Sequence, residues 1–367
     1  MSTVHYAYRI ATHLNQRLTQ RLRQQGWVPH PQVYPGLGDG EKVQVMGRVL
    51  LGRMDDRHIW HQESTDVEVP KHARGWRQFI TAPMANAAIE IQVGKRTLRT
   101  RTDRDGYFDL MVHGHGLVPG WHTVRVRTTA DISGAARIYI LNPKSRVGLL
   151  SDIDDTVIIT HLPRPFIAAY NAFVLTEEAR DVVPGMGTWY RQILQDHPFA
   201  PVVYLSTGAF NTVPFLQRFL HHHQFPSGMM LMTDWGTTTT GWFRSGLDHK
   251  RKSLARLVKD FPQIKWILVG DDGQHDAMVY NEFARQHPDH VAMIGIRELT
   301  PVEHALIHGQ PVPPGGANVR NQPPIIATSN DAVPTIHGPD GYALAAAYRH
   351  WRNDSRCPQP GDPSSES

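Results

Sequence analysis

Apolar and polar positions alternate in one half of the chain and run together in the other. Between residues 41 and 145 the pattern has period two. Val43, Val45 and Val49 alternate with polar neighbours in segment 42–51, and similar short segments follow at 88–93, 97–102, 107–112, 123–128 and 136–141. Asp103-Arg104-Asp105-Gly106 supplies the turn between two of them. Short strands separated by turns predict a β-sandwich-like domain over 41–145. Segment 52–80 has no period and reads as an insertion. From residue 146 to 300 the pattern changes. Apolar runs at 147–153, 201–205, 229–232, 265–269 and 291–296 show little alternation, as strands covered on both faces do. Helical spacing falls between or after them, at 165–173, 189–196, 213–222, 251–261 and 277–287. Strands alternating with helices predict an α/β domain with a doubly wound parallel sheet.

The flanks read differently. In 6–25, Ile10, Leu14, Leu18 and Leu22 recur every four residues, with Arg9, Arg17 and Arg23 opposite and Gly26 as a C-cap. Residues 1–40 are thus expected to be an amphipathic helix and a linker. Two uses fit this helix. It packs its stripe on a neighbouring domain, which is the common fate of such stripes, or it lies on an anionic membrane. Residues 301–367 hold 11 of the 27 prolines and predict a Pro-rich, partly disordered tail with one short helix over 341–352.

Composition narrows the class. A chain of 367 residues exceeds one ordinary domain, and 40% hydrophobic with 20% charged residues is globular usage. A single cysteine, Cys357, excludes an intrachain disulfide framework and a Cys-based zinc finger, and fits a reducing, cytoplasmic setting. No run of 18 apolar residues is present, and Arg9, His13, Asn15 and Arg17 interrupt any signal-peptide core. The net charge of +4 equals the four arginines of residues 1–38, which contain no acid. The balanced remainder argues against a nucleic-acid partner. His221-His222-His223 points three ways from a helix and reads as surface.

The candidate chemistry sits at strand ends. Ligand sites of open α/β sheets form at the C-terminal edges of the strands. The first apolar run ends in Asp152-Ile153-Asp154-Asp155-Thr156, the second in Ser206-Thr207-Gly208, and the fourth in Gly270-Asp271-Asp272 with Asp276 close behind. Lys250 and Lys252 lie before the fourth. Clustered carboxylates repel one another unless a cation lies between them. Oxygen donors without Cys or a paired-His motif select Mg²⁺. A carboxylate can also attack phosphorus, while lysine and hydroxyl donors hold phosphoryl oxygens. Asp-x-Asp on an extended segment points two carboxylates to one side, one to attack and one to handle the proton.

These four motifs, in this order, resemble those of the haloacid-dehalogenase (HAD) superfamily of phosphohydrolases. More narrowly, "LLSDIDDTV", "PVVYLSTGAFNTVPFL", "MLMTDWG", "HKRKSL" and "WILVGDDGQHDAMVY" resemble the App1-like phosphatidate phosphatase family. The resemblance spans about residues 146–300. It implies a Rossmann-like fold, with Asp152 as nucleophile and Asp154 as general acid and then base. It implies that Thr156, Ser206 and Lys250 hold the phosphoryl group, with Lys252 as the rival lysine. Mg²⁺ would be bound by Asp152, the Asp154 backbone carbonyl and Asp271, with Asp276 or Asp272 as outer support. The implied reaction releases diacylglycerol from phosphatidate, with peripheral membrane contact. A phosphatase of a soluble metabolite and a non-catalytic membrane or protein adaptor are the alternatives.

Overall fold

The computed structural model describes residues 18–53, 82–159, 181–233, 242–273, 275–307, 326–327 and 333–353. The chain forms two compact units that divide after Pro143. The expected helix at 165–173, and Ile10 and Leu14 of the N-terminal stripe, lie outside the described residues.

The first unit opens with a helix whose described part covers 18–24. It stops as expected at Gly26, which takes φ +83°. Trp27 N–H donates to Leu22 O (3.0 Å) and Gly26 N–H to Arg23 O (3.1 Å), the paired closure of a helix end with a left-handed cap. Leu18 is 49% exposed. Among the described residues nine strands follow: β1 (Val28–Val33), β2 (Gly36–Gly38), β3 (Lys42–Gly52), β4 (Ala82–Pro83), β5 (Ala88–Val93), β6 (Arg96–Arg101), β7 (Tyr107–His113), β8 (Gly120–Thr128) and β9 (Ser133–Ile140). They make one hydrogen-bonded network in the order β1-β3-β2-β9-β8-β5-β6, with β4 and β7 also paired to β3. Valines and isoleucines from β3, β5, β8 and β9 meet Phe108 and Val112 of β7 in a single core. The alternation is clean in β8, where Val124 and Val126 are buried and Arg125 and Arg127 exposed. Strands β1 and β2 occupy the stretch read as linker. Pro29 and Pro31 hid β1, because proline is a poor strand signal, yet β1 lies at the end of the path, where strands tolerate it.

The second unit carries β10 (Val147–Asp152), α1 (Met186–Asp196), β11 (Val202–Ala209), α2 (Val213–His222), β12 (Met229–Thr233), α3 (Trp242–Asp260), β13 (Lys265–Asp271), α4 (Asp276–Gln286), β14 (Val291–Arg297), α5 (Pro301–Ile307), β15 (Ile326–Ala327), β16 (Thr335–Gly338) and α6 (Gly341–Asn353). Its sheet runs β12-β11-β10-β13-β14-β16-β15. All pairs are parallel except the short edge pair β15–β16. Without β15, the strands stand in chain order 3-2-1-4-5-6, and the order reverses between β10 and β13. A crevice forms at such a reversal, outside the carboxyl ends of the strands. β10 and β13 are buried along nearly their whole length, which explains their lack of alternation.

The region read as a disordered tail returns to this sheet. β16 pairs with β14 from Ile294↔Thr335 to Arg297↔Gly338. Helix α6, expected over 341–352, docks through Tyr348 on Trp189 of α1, with ring centroids 6.4 Å apart. Gly185, at φ +76°, precedes α1, and a Cβ there would lie 2.6 Å from Tyr342 N. Close approach of α6 therefore requires glycine at that position. Four residues, Thr-Ile-His-Gly, are too few to display a period, so β16 had no sequence signal. Among the described residues no helix is long and apolar enough to cross a membrane.

Candidate active site

Asp152 and Asp271 are the last residues of β10 and β13, the two strands that flank the reversal of order. Parallel pairing places Ser151 opposite Val269, so both strands end at one edge. Asp276 opens α4, where a carboxylate is favoured by the exposed N–H groups of the first turn. All three aspartates are buried, and an oxygen from each lies within 4.8 Å of the others. Gly270 makes this approach possible. A Cβ there would lie 2.6 Å from Asp276 Cβ and Oδ2.

Lys250, on α3, is only 3% exposed. Its Nζ donates to Asp152 Oδ1 at 2.7 Å and to Asp276 Oδ1. Lys252 is exposed, so packing selects Lys250 of the two candidates. Burial pushes the Asp152 carboxyl well above the usual carboxylate range; the Lys250 charge opposes this, and Asp276, Asp154 and Asp271 reinforce it. Burial by itself would lower the Lys250 ammonium, but the Asp152 and Asp276 carboxylates outweigh it and hold the pKa above normal. One ammonium faces three buried carboxylates. A divalent cation would balance the excess. The donor set fits one, since it is all oxygen, and Asp152 Oδ2 and Asp276 Oδ2 are buried without a hydrogen-bond partner.

The second acid stands beside this cluster. After β10 the backbone turns tightly: Val157 N–H donates to Ile153 O (2.9 Å) and Asp155 N–H to Ile158 O (2.8 Å), with Asp155 at φ +57°. This turn leaves Asp154 half-buried, where Ser206 Oγ donates to its Oδ2 at 3.2 Å. Ser206 accepts in turn from Gly208 N–H at 2.9 Å. Thr156 Oγ1 is buried and unpartnered, a donor held in reserve for a ligand oxygen.

Asp272 goes elsewhere. Its Oδ1 accepts from Leu299 N–H at 2.9 Å and pairs with His304 Nε2 at 3.3 Å. Between the two residues read as outer support, Asp276 joins the oxygen cluster itself and Asp272 ties the segment after β14 to the loop after β13. Successive residues leaving a strand point to opposite sides, and Asp271 already points inward.

Two further residues support the site. Arg297, the buried last residue of β14, donates from Nη1 to Asp155 O at 2.7 Å and from Nη2 to Glu303 Oε1 at 2.5 Å. It pins the turn that carries Asp154 at its left-handed residue. Ser151 Oγ lies 2.6 Å from Tyr190 OH and donates to Asp152 O at 2.6 Å, bracing the end of β10 from behind. No motif marked either residue. An arginine closing an apolar strand was the available signal for Arg297.

Residues 147–298 match the family model described as the catalytic domain of phosphatidate phosphatase APP1. The chain is 30% identical over 152 residues to phosphatidate phosphatase APP1 of Saccharomyces cerevisiae, covering 41% of this chain and 26% of that protein. It is 23% identical over 157 residues to an uncharacterized protein of Schizosaccharomyces pombe, covering 42% and 26%. The chain thus spans about a quarter of the length of these curated relatives. A carbohydrate acetylesterase structure from Xanthomonas citri aligns with 88% of this chain and 75% of its own at 11% identity and a TM-score of 0.30, too low to carry an argument. The App1-like resemblance read from the motifs is shown for the parallel-sheet unit.

Proposed function

We propose that residues 147–298 form a Mg²⁺-dependent phosphatase of the haloacid-dehalogenase type, which converts phosphatidate to diacylglycerol and inorganic phosphate through an aspartyl phosphate. The observation that carries this reading is the convergence of Asp152, Asp271, Asp276 and Lys250, all buried, at the strand ends beside the Asp154–Ser206 pair. The strand order 3-2-1-4-5-6 supports the doubly wound assignment. The family match supports the reaction, and the name of the yeast relative supports the lipid substrate.

In this mechanism the Asp152 carboxylate forms a bond to phosphorus as the ester P–O bond breaks. Asp154 gives its proton to the departing oxygen and becomes a carboxylate. It then takes a proton from the water that attacks the aspartyl phosphate, which frees Asp152 and inorganic phosphate. Lys250 Nζ, Thr156 Oγ1 and Ser206 Oγ donate to phosphoryl oxygens as their charge shifts. The Lys250 charge opposes the burial that favours the neutral form of Asp152. Asp152, Asp271, Asp276 and the Asp154 backbone carbonyl would hold the cation, which neutralises the phosphoryl oxygens against the acidic cluster when bound.

The test is phosphate release from phosphatidate in mixed micelles and from soluble phosphate esters, with Mg²⁺ and with EDTA. Phosphatidate hydrolysis that EDTA stops and Mg²⁺ restores is expected. Hydrolysis of soluble esters alone would replace the lipid substrate with a metabolite, and full activity in EDTA would remove the metal.

A further inference from the structure

We propose that the outward face of β6, β5, β8 and β9 docks on an anionic phospholipid surface. The inference rests on the lipid-phosphatase reading only for its choice of a bilayer over other polyanions.

Strand register defines this face. Glu90 of β5 stands opposite Arg99 of β6 on one side and Arg127 of β8 on the other. One row away, Gln92 faces Arg125, and at the other end Ala88 faces Arg101. Arg137 of β9 pairs with Thr123 of β8. In a strand, alternate residues share a side. Val124, Val126, Ile89, Ile91 and Ile138 point into the core, so Arg99, Arg101, Arg125, Arg127 and Arg137 all point out. Among the described residues, Glu90 and Asp131 are the acids that pair with these arginines. Glu90 accepts from both Arg99 (2.9 Å) and Arg127 (3.0 Å), and Asp131 lies 3.5 Å from Arg127 at the margin.

Folding does not explain this arrangement. Like charges on neighbouring strands oppose sheet formation, and Arg99 is 85% exposed in its ion pair, so the contacts return little. A positive sheet face is instead suited to a broad negative partner. Two details favour a bilayer. An open hollow of about 500 Å³ lies on this face, lined by Arg99, Arg101 and Arg127 together with Glu90 and Asp131, where a phosphate-bearing headgroup would meet three guanidinium groups against two carboxylates. At the β8–β9 end, the Trp121 and Tyr139 rings meet at a 55° tilt with centroids 5.1 Å apart, and the Arg137 guanidinium lies 4.6 Å from the Trp121 ring centroid. Aromatic rings with polar edges beside cations are the side chains that settle at headgroup level.

The experiment is co-sedimentation of the full chain with phosphatidylcholine vesicles, with and without about one-third phosphatidylserine, alongside hydrolysis of p-nitrophenyl phosphate. Replacing Arg99, Arg125 and Arg137 together by Gln should lower partitioning onto the anionic vesicles about 100-fold, at about a factor of five per basic residue. The same three positions changed to Lys should keep binding. Hydrolysis of the soluble ester and the thermal midpoint should be unchanged in both variants. Replacing Arg9, Arg17, Arg21 and Arg23 by Gln should leave binding largely intact. Wild-type binding by the Gln sheet variant, or loss confined to the N-terminal variant, would overturn the proposal. Selective loss of polynucleotide binding by the sheet variant would overturn it too, giving the face to nucleic acid. Arginine-dependent vesicle binding without any ester hydrolysis would keep the docking face and refute the phosphatase.

Discussion

The two units use charge in opposite ways. The antiparallel unit sets its arginines on an exposed face, where Glu90 accepts from two of them and the charges are screened by solvent. The parallel unit takes Asp152, Asp271, Asp276, Lys250 and Arg297 out of water and hydrogen-bonds each one, Asp271 through Gly273 N–H at 2.8 Å. Charge separated from solvent acts strongly at short range and is costly when unmatched. Exposed charge acts weakly at each contact but adds over a surface. A catalytic centre needs the first arrangement and a docking face the second. The contrast predicts how steeply each region responds to substitution.

The largest effect belongs to Asp152. In the proposed mechanism Asp152→Asn should abolish both phosphoenzyme and turnover, because it replaces the attacking carboxylate, which would also hold the cation, with a neutral amide. Trapping with radiolabelled substrate followed by acid quench measures the first. Labelled protein at wild-type levels would break the assignment. Asp154→Asn comes next, with a fall of about 10²- to 10⁴-fold, the usual contribution of a positioned proton donor. The loss should be greater for an alkyl phosphate than for p-nitrophenyl phosphate, whose leaving group needs little protonation. Equal losses for both esters would reassign Asp154 to metal binding alone.

Arg297→Met should destabilise the fold by about 1.5–3 kcal/mol in urea unfolding, since it removes the charged partner of the half-buried Glu303 carboxylate and the Nη1 hydrogen bond to Asp155 O. Unchanged stability with slowed turnover would instead make Arg297 purely a positioning residue. The same pair predicts an acid response. Burial pushes the Glu303 carboxyl up, but Arg297 and the Thr300 hydrogen bonds outweigh this and leave it below its ordinary value of 4.5. Its stabilisation is therefore present above pH 4.5 and lost as pH falls through the lower folded value. Arg297→Met should flatten that part of the stability–pH curve. The smallest effect belongs to the exposed face: Glu90→Gln should leave the thermal midpoint unchanged within scatter, and a clear drop would mean that the sheet's outer pairs hold the fold.

Much of the parallel unit was legible from local pattern alone. Apolar runs marked β10 to β14, and the acids, serine and lysine near their ends marked the site, because a strand's C-terminal edge is where side chains leave the core. The stretches called linker and tail were misread for one reason. Pro29 and Pro31 conceal β1, and Thr335–Gly338 is too short for a period, so each became a strand only by pairing with a partner distant in sequence, β3 or β14.

Thus the sequence by itself determined the alternation of strands and helices, the chemistry available at the strand ends and the likeness of residues 147–298 to the APP1 catalytic-domain model. Tertiary structure decided which groups face one another. It put Lys250 inside and left Lys252 outside, turned Asp276 into the oxygen cluster and Asp272 toward Leu299, and brought Arg297 onto the Asp155 carbonyl. It also gathered arginines from three strands onto one face. Periodicity records only the burial of a residue within its own element. Which charges meet depends on how elements far apart in the chain pack together.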